Sequence, residues 1–302
     1  MNRYLTAYVA CLILMVCFGQ AQPIVVYHAS PVPPGARAAA LGGANAADPS
    51  DATIIYWNPA ALAYVVGSSM VISHSQERNI HGSNENIVVP FKIRNGESFA
   101  VGLTVNHTGY IGQQSNSIFQ AVQYGYDFAY AREVARAVSF GGEISVRHGH
   151  TAESNQWRVT SRMGIFYTPS EEVSYGAVFS GIGSGFVYES DRSITEIRSE
   201  NLPRSFQVGL TMHFPPRLEN AKLAISFANE KVFGRDGMTY RGGVELIMFK
   251  FLALRGGYVL EPQLGSARFG AGIRTSRLQL DYAIWPNKNT DQIYYVTFGM
   301  KL

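Results

Sequence analysis

Most of this chain alternates apolar and polar residues one by one, and this period limits the folds open to it. Between residues 137 and 147 one face carries Val138, Phe140, Ile144 and Val146, and the other carries Ser139, Glu143, Ser145 and Arg147. Successive side chains of a strand point to opposite sides, so the pattern predicts strands with one apolar and one polar face. Such strands form either a soluble β-sandwich, with the apolar face inside, or a transmembrane barrel, with that face in lipid.

The connections between the expected strands favour the barrel. We place about fourteen strands, at residues 63–75, 85–93, 97–108, 117–131, 137–148, 156–167, 172–181, 203–213, 220–229, 238–248, 251–260, 266–274, 277–285 and 291–302. Long connections such as 76–84 and 182–202 alternate with tight ones such as 94–96 and 275–276. Short periplasmic turns and long extracellular loops are typical of outer-membrane barrels. We therefore predict an all-β, about 14-stranded antiparallel up-and-down transmembrane barrel with both termini in the periplasm.

The N-terminus has the features of a secretory leader. Arg3 precedes an apolar stretch, 7–18, that is too short to span a bilayer, and small residues occupy 19 and 21. We expect residues 1–21 to be a signal peptide, whose cleavage removes Cys11 and Cys17. A lipoprotein acylated at Cys17 is the less favoured alternative, because bulky residues precede it.

Composition narrows the function classes. Charged residues make up 16% of the chain, below the roughly 25% of a typical soluble domain. Removing Arg3 with the leader leaves 24 basic against 22 acidic residues, and no basic stripe appears, so we expect no nucleic-acid partner.

The two faces of the strands carry different chemistry. The expected lipid-facing residues include aromatic and aliphatic runs, such as Tyr124, Tyr126, Phe128 and Tyr130, or Leu278, Leu280, Tyr282 and Ile284. The expected lumen-facing charges are Asp127, Glu143, Arg147, Arg158, Arg162, Lys222, Arg241, Glu245, Arg255, Arg268, Arg274, Asp281 and Lys301. We expect no uncompensated charge in the middle of a strand on the lipid face, and we interpret the lumenal charges mainly as structural ion pairs.

Residues 22–62 do not alternate and contain six prolines. Proline breaks a strand ladder, so this segment is not part of the wall. A barrel of about fourteen strands is too wide for its own side chains to fill. We expect residues 22–62 to form a lumenal plug or hatch and residues 63–302 to form the barrel; a periplasmic tail is the alternative.

One motif in this segment resembles a known family. Residues 35–63 contain Ala36-Arg37-Ala38, Leu41-Gly42-Gly43-Ala44, Asp51 and Asn58-Pro59-Ala60. This stretch is similar to the N-terminal signature of FadL-like outer-membrane barrels, and most similar to the PorV/PorQ group associated with type IX secretion in Bacteroidetes-type bacteria. The resemblance implies an integral outer-membrane barrel that either docks secretion proteins or passes hydrophobic compounds.

The residue types in the motif suggest physical roles for it. Gly35, Gly42 and Gly43 allow close backbone approach and positive φ. Asn58-Pro59 favours a turn and blocks helix or strand continuation. Arg37 and Asp51 are expected to pair with lumenal charges, because a lone buried charge is costly.

Catalytic and cofactor readings are weak. His148 and His150 share a strand face without a third metal ligand, so we interpret them as solvated loop histidines. The glycines at 181, 183 and 185 lack a strand–helix frame, so a flexible loop is favoured over a phosphate site. We predict no enzyme activity and no cofactor.

Two functions remain. In the first, the barrel is a docking component linked to secretion or surface attachment, and the long extracellular loop 182–202 contacts partners through Phe186, Tyr188, Asp191 and Arg192. The short chain and the mixed charges of the loop favour this reading. The alternative is a passive transporter of small hydrophobic compounds.

Overall fold

The computed structural model describes residues 34–65, 69–77, 82–111, 118–150, 154–191, 194–200, 202–214, 221–261, 265–286 and 292–301. The expected signal peptide, with Cys11 and Cys17, lies outside these residues. Within them, one short α-helix, α1 (Ala36–Ala40), and two 3-10 helices (Ala52–Tyr56 and Pro59–Tyr64) precede a long series of strands. None of the described helices is long and apolar enough to cross a membrane.

The strands form one antiparallel sheet. They are β1 (Ser69–Glu77), β2 (Gly82–Arg94), β3 (Glu97–Ile111), β4 (Ile118–Ala135), β5 (Val138–His150), β6 (Ser154–Ser170), β7 (Val173–Asp191), β8 (Ile194–Glu200), β9 (Ser205–Phe214), β10 (Ala221–Val232), β11 (Thr239–Met248), β12 (Leu252–Leu260), β13 (Gly265–Arg274), β14 (Leu278–Trp285) and β15 (Ile293–Lys301). Each strand pairs with its neighbours in sequence, with one exception at β8. β8 pairs with one end of β7, and the other end of β7 pairs with β9.

The sheet closes on itself. β1 pairs with β15 in register from Ser69↔Lys301 to Glu77↔Ile293. β8 pairs with β7 alone and is not part of the closed wall, so the wall itself has fourteen strands. The predicted 14-stranded antiparallel barrel is thus confirmed. Turns of two or three residues, such as Asn95-Gly96, lie at one end, which we call the short-turn end; the opposite end is the long-connection end.

Most strand boundaries lie within a few residues of the sequence prediction, and two differ by more. β1 begins at Ser69 rather than at 63, because Pro59–Tyr64 forms a 3-10 helix. The predicted loop at 182–202 was wrong, because its backbone forms the end of β7 and the whole of β8, which pair from Gly185↔Glu200 to Asp191↔Ile194. Its β-branched and aromatic residues suit a hairpin.

Two smaller loop predictions were also wrong. His148 and His150 lie within β5, and the His148 ring stacks on Trp157 with centroids 4.2 Å apart. The glycines at 181, 183 and 185 lie within β7. Gly181 has a φ of 83°, and the register between β6 and β7 shifts beside it. The glycines therefore mark an irregular strand rather than a loop.

The outer face of the barrel is apolar, as the alternation predicts. The side chains expected there are exposed: Tyr126 is 45% exposed, Phe128 48% and Leu280 50%. Glu85 also lies on this face, toward the long-connection end of β2, and its carboxylate is 3.1 Å from His74 Nδ1. The residues that the sequence assigns to the lipid face do not include Glu85, which forms a hydrogen bond with His74 there.

Candidate functional site

Residues 34–65, which we call the N-terminal segment, are almost entirely buried against the inner face of the barrel. The segment folds locally for identifiable reasons. Gly35, Gly42 and Gly43 have φ values of 112°, 69° and 75°, which only glycine adopts without strain. Asn58 Oδ1 accepts a hydrogen bond from Ala60 N at 3.1 Å and caps the second 3-10 helix, in which Pro59 is the first residue.

Asp51 behaves differently from expectation, and Asn58 has an additional role. Asp51 does not pair with a lumenal charge among the described residues; its carboxylate accepts a hydrogen bond from Thr53 N at 2.8 Å and caps the first 3-10 helix. Asn58-Pro59 separates the two 3-10 helices, in line with the expected break, and also starts the second one. Asn58 also ties the segment to the wall, because its Nδ2 donates to Ile165 O of β6 at 3.0 Å.

The segment rests on inward-facing glycines that we call the glycine seat: Gly141, Gly164, Gly176, Gly243, Gly257 and Gly270. A Cβ added to any of them would collide with the segment. It would lie 2.6 Å from Ala60 N at Gly141, 2.0 Å from Ala46 O at Gly176 and 2.4 Å from Gly42 N at Gly257. Each of these strands therefore needs glycine at its point of contact with the segment.

One charged network joins the segment to β11, β12 and β14. Arg37 is 1% exposed and donates to Asp48 at 2.6 Å within the segment and to Glu245 at 2.7 Å on β11. Glu245 also accepts from Arg255 at 2.6 Å, and Arg255 donates to Asp281 at 2.7 Å. Burial alone lowers the pKa of Arg37, but the carboxylates of Asp48 and Glu245 outweigh it and raise that pKa above its ordinary value. Arg37 is therefore charged and fully paired.

A second network lies across the lumen around Asp127 of β4. Tyr56 Oη donates to Asp127 Oδ2 at 2.8 Å and accepts from Asn86 Nδ2 at 2.6 Å. Arg147 donates to Asp127 Oδ1 at 2.8 Å. Burial, together with the negative Asp127, raises the pKa of Tyr56, so the phenol keeps its proton and remains a donor.

Several of the other predicted lumenal charges have identifiable contacts. Glu143 lies 3.6 Å from Arg162, and Arg162 also donates to Ile55 O of the segment at 3.2 Å. Arg241 pairs with Glu230 at 2.8 Å. Arg268 is 5% exposed and stacks on the Trp285 ring, with its Cζ 3.8 Å from the ring centroid. Arg274 is half-buried and lies near the short-turn end.

The expected contact residues on the long hairpin are less defined. Phe186, Tyr188 and Asp191 belong to β7 by their backbone, but their side chains lie outside the described part of the chain. Arg192 also lies outside it. No group of three potential metal-ligating side chains occurs among the described residues.

Sequence reasoning missed three contributors to this interface. Tyr56 lies in an apolar run and has no neighbouring partner in sequence. The glycine seat was visible only as glycines at polar-face positions, such as Gly141 and Gly257. Ser139 and Ser174 donate to Ala60 O at 2.7 Å and to Ala47 O at 2.5 Å, which explains two small polar side chains on that face.

Comparison with known proteins shows the fold and nothing finer. No protein-family model matches the sequence. No curated protein matches it significantly either. Among solved structures, the toluene transporter TbuX of Ralstonia pickettii superposes with a TM-score of 0.61 at 11% identity, covering 89% of this chain and 98% of that one.

Two further structures give the same result. The CymD monoaromatic hydrocarbon channel has a TM-score of 0.64 at 11% identity, covering 90% of this chain and 98% of that one. A FadL homologue of Pseudomonas aeruginosa has a TM-score of 0.60 at 10% identity, covering 93% of this chain and 100% of that one. The chain therefore has the barrel fold of these three structures.

Proposed function

We propose that this protein is an outer-membrane barrel through which small hydrophobic compounds pass, with the N-terminal segment as its plug. The observation that carries the proposal is the position of this segment inside a closed wall. It contacts β2, β4, β5, β6, β7, β11, β12, β13 and β15 through side-chain bonds or the glycine seat. Such a segment blocks free diffusion of water-soluble solutes, which is compatible with a selective channel.

The outer surface supports the membrane location. Exposed apolar side chains occur on strands on all sides of the wall, including Phe128 on β4, Phe227 on β10 and Leu280 on β14. A continuous apolar surface of this kind is unfavourable in water and matches the lipid-facing band of outer-membrane barrels. Stacked rings at the short-turn end, Tyr167 on Tyr175 and Phe91 on Phe99, suit an aromatic girdle.

The similar folds support transport over docking. The three structures compared above are named as a toluene transporter, a monoaromatic hydrocarbon channel and a FadL homologue, and none is named as a secretion component. The docking hypothesis depends on side chains of the β7–β8 hairpin that are not described. We therefore make transport the conclusion and treat docking as the competing outcome of its test.

The test is uptake of labelled toluene by cells that carry the full chain in their outer membrane. We expect uptake several-fold above cells with an empty vector. Cells expressing Leu280→Arg, which disturbs the lipid-facing wall, serve as the matched control for failed insertion. Background uptake by a correctly inserted wild-type barrel, together with co-purification of other outer-membrane proteins, would instead favour docking.

A further inference from the structure

Arg268 differs from Arg37 and Arg255, the other two arginines that are fully buried among the described residues. Arg37, Arg147, Arg162, Arg241 and Arg255 each have a carboxylate within 4.0 Å. Among the described residues, no carboxylate lies within that distance of Arg268, although Arg268 is only 5% exposed. A buried guanidinium without a carboxylate at ion-pair distance is costly, because it has lost water; Glu261 acts on Arg268 only from farther away. The contact of Arg268 with the face of Trp285 offsets only part of this cost.

Other unused donors lie around Arg268. Buried atoms without a hydrogen-bond partner include Arg268 Nε, Trp285 Nε1 and Tyr295 Oη. The strand registers bring their residues together, because Trp285 opposes Ile293 and Ala283 opposes Tyr295 on β14 and β15. Buried polar groups are normally paired, and these three unpaired groups lie on three adjoining strands.

The cluster occupies a defined level of the lumen. Arg268 lies one inward position from Gly270, toward the long-connection end, and Gly270 contacts Ala40 of the N-terminal segment. Tyr295 lies one inward position from Thr297, whose Oγ1 accepts from Ala36 N at 2.8 Å. The donors therefore form the layer directly above α1, on the side from which a solute crossing the long-connection end arrives. Trp285 is the half-buried member of the three.

The surroundings of the donors are apolar. Ile293 and Tyr295 pack with Ala36, Ala39 and Ala283 in one buried cluster, against which Trp285 also lies. Arginine donates two parallel hydrogen bonds to a carboxylate, and aromatic residues receive a planar ring favourably. The layer therefore combines a site for a carboxylate with a surface for an aromatic ring.

We propose that Arg268, Trp285 and Tyr295 bind the carboxylate of a small aromatic acid, of which benzoate is the simplest. This inference rests on the proposed function and adds aromatic compounds that carry an acid group to the small hydrophobic compounds that the proposed function covers. Arg268 binds the carboxylate, and the Trp285 and Tyr295 donors complete its hydrogen bonds. The ring lies against the apolar side chains of β14 and β15.

The experiment is calorimetric binding to the full chain purified in detergent at neutral pH. The probes are benzoate, toluene, which has the ring alone, and acetate, which has the carboxylate alone. We expect benzoate to bind at least about tenfold more tightly than either, because hydrogen bonds to a buried charge carry that difference. Equal affinity for benzoate and toluene, or for benzoate and acetate, overturns the inference.

Variants test the residues. Arg268→Gln is expected to weaken benzoate binding about tenfold or more and to leave toluene binding unchanged, whereas Arg274→Gln, at the short-turn end, leaves both unchanged. If Arg268→Gln does not fold, Tyr295→Phe removes one hydroxyl only and is expected to weaken benzoate binding several-fold. Unchanged benzoate affinity in the folded variants rejects the site. Toluene uptake by cells that carry the wild-type chain is a separate readout. If there is no such uptake, the proposed function is rejected. If uptake occurs but benzoate does not bind as expected, only this inference is rejected.

Discussion

The side chains of Arg37 and Glu245 meet at 2.7 Å although 208 residues separate them in the chain. This contact joins the N-terminal segment to the eleventh strand and continues through Arg255 to Asp281. Because every member is buried, removal of one charge leaves another without a partner. The contact is therefore a sensitive place to test how firmly the segment is held.

Replacing Arg37 with Gln is expected to weaken the docking of the N-terminal segment by about 3–5 kcal/mol, because Asp48 and Glu245 lose their shared cation. The measurement is limited proteolysis of the segment in the membrane-inserted protein. Arg204→Gln is the control, since Arg204 is exposed. A segment that is equally protected in both variants would contradict the importance of this network.

The glycine seat gives a sharper test, because β12 carries two adjacent glycines with opposite orientations. A Cβ at Gly257 would lie 2.4 Å from Gly42 N, whereas a Cβ at Gly256 would meet nothing within 4 Å. We expect Gly257→Ala to cost about 1–3 kcal/mol of segment docking and to raise ion conductance in planar bilayers. Gly256→Ala should resemble the wild type, and identical conductance of the two variants would argue against the seat.

The assignment of faces predicts a difference between neighbouring residues of β14. Leu280 points outward and is 50% exposed, whereas Gln279 lies on the inner face. Leu280→Arg is expected to destabilise the inserted barrel by up to about 2–4 kcal/mol, and Gln279→Arg by less. Heat-modifiable electrophoretic mobility measures the effect. Comparable losses in both variants would mean that the faces are assigned incorrectly.

Deletion of residues 34–65 tests the plug as a whole. Each wall strand pairs with two neighbours without help from the segment, so we expect the deleted barrel to insert. Its lumen keeps the Arg255–Asp281 and Arg147–Asp127 pairs, which stabilise the wall from inside. The expected result is a large rise in conductance in planar bilayers. Low conductance of an inserted, deleted barrel would show that other parts of the chain close the lumen.

The sequence by itself determined the strands of the wall and the faces of their side chains. Alternation is a local property, and each strand of a barrel has one face in an apolar medium, so Phe140 and Glu143 can be assigned to opposite faces without knowing their neighbours. The positive φ at Gly42 and Gly43 was also predictable, because glycine is the residue that adopts it readily.

Only the tertiary structure decided what the inner face contacts. In the sequence, Gly141 and Gly257 look like ordinary strand glycines. In the structure, the backbones of Ala60 and Gly42 lie close to them. From the sequence, Asp51 and Arg37 are both expected to form ion pairs. In the structure Asp51 caps a helix, whereas Arg37 pairs with Glu245. Partner choice depends on which distant strands closure brings together, and a periodic pattern within one strand contains no information about that.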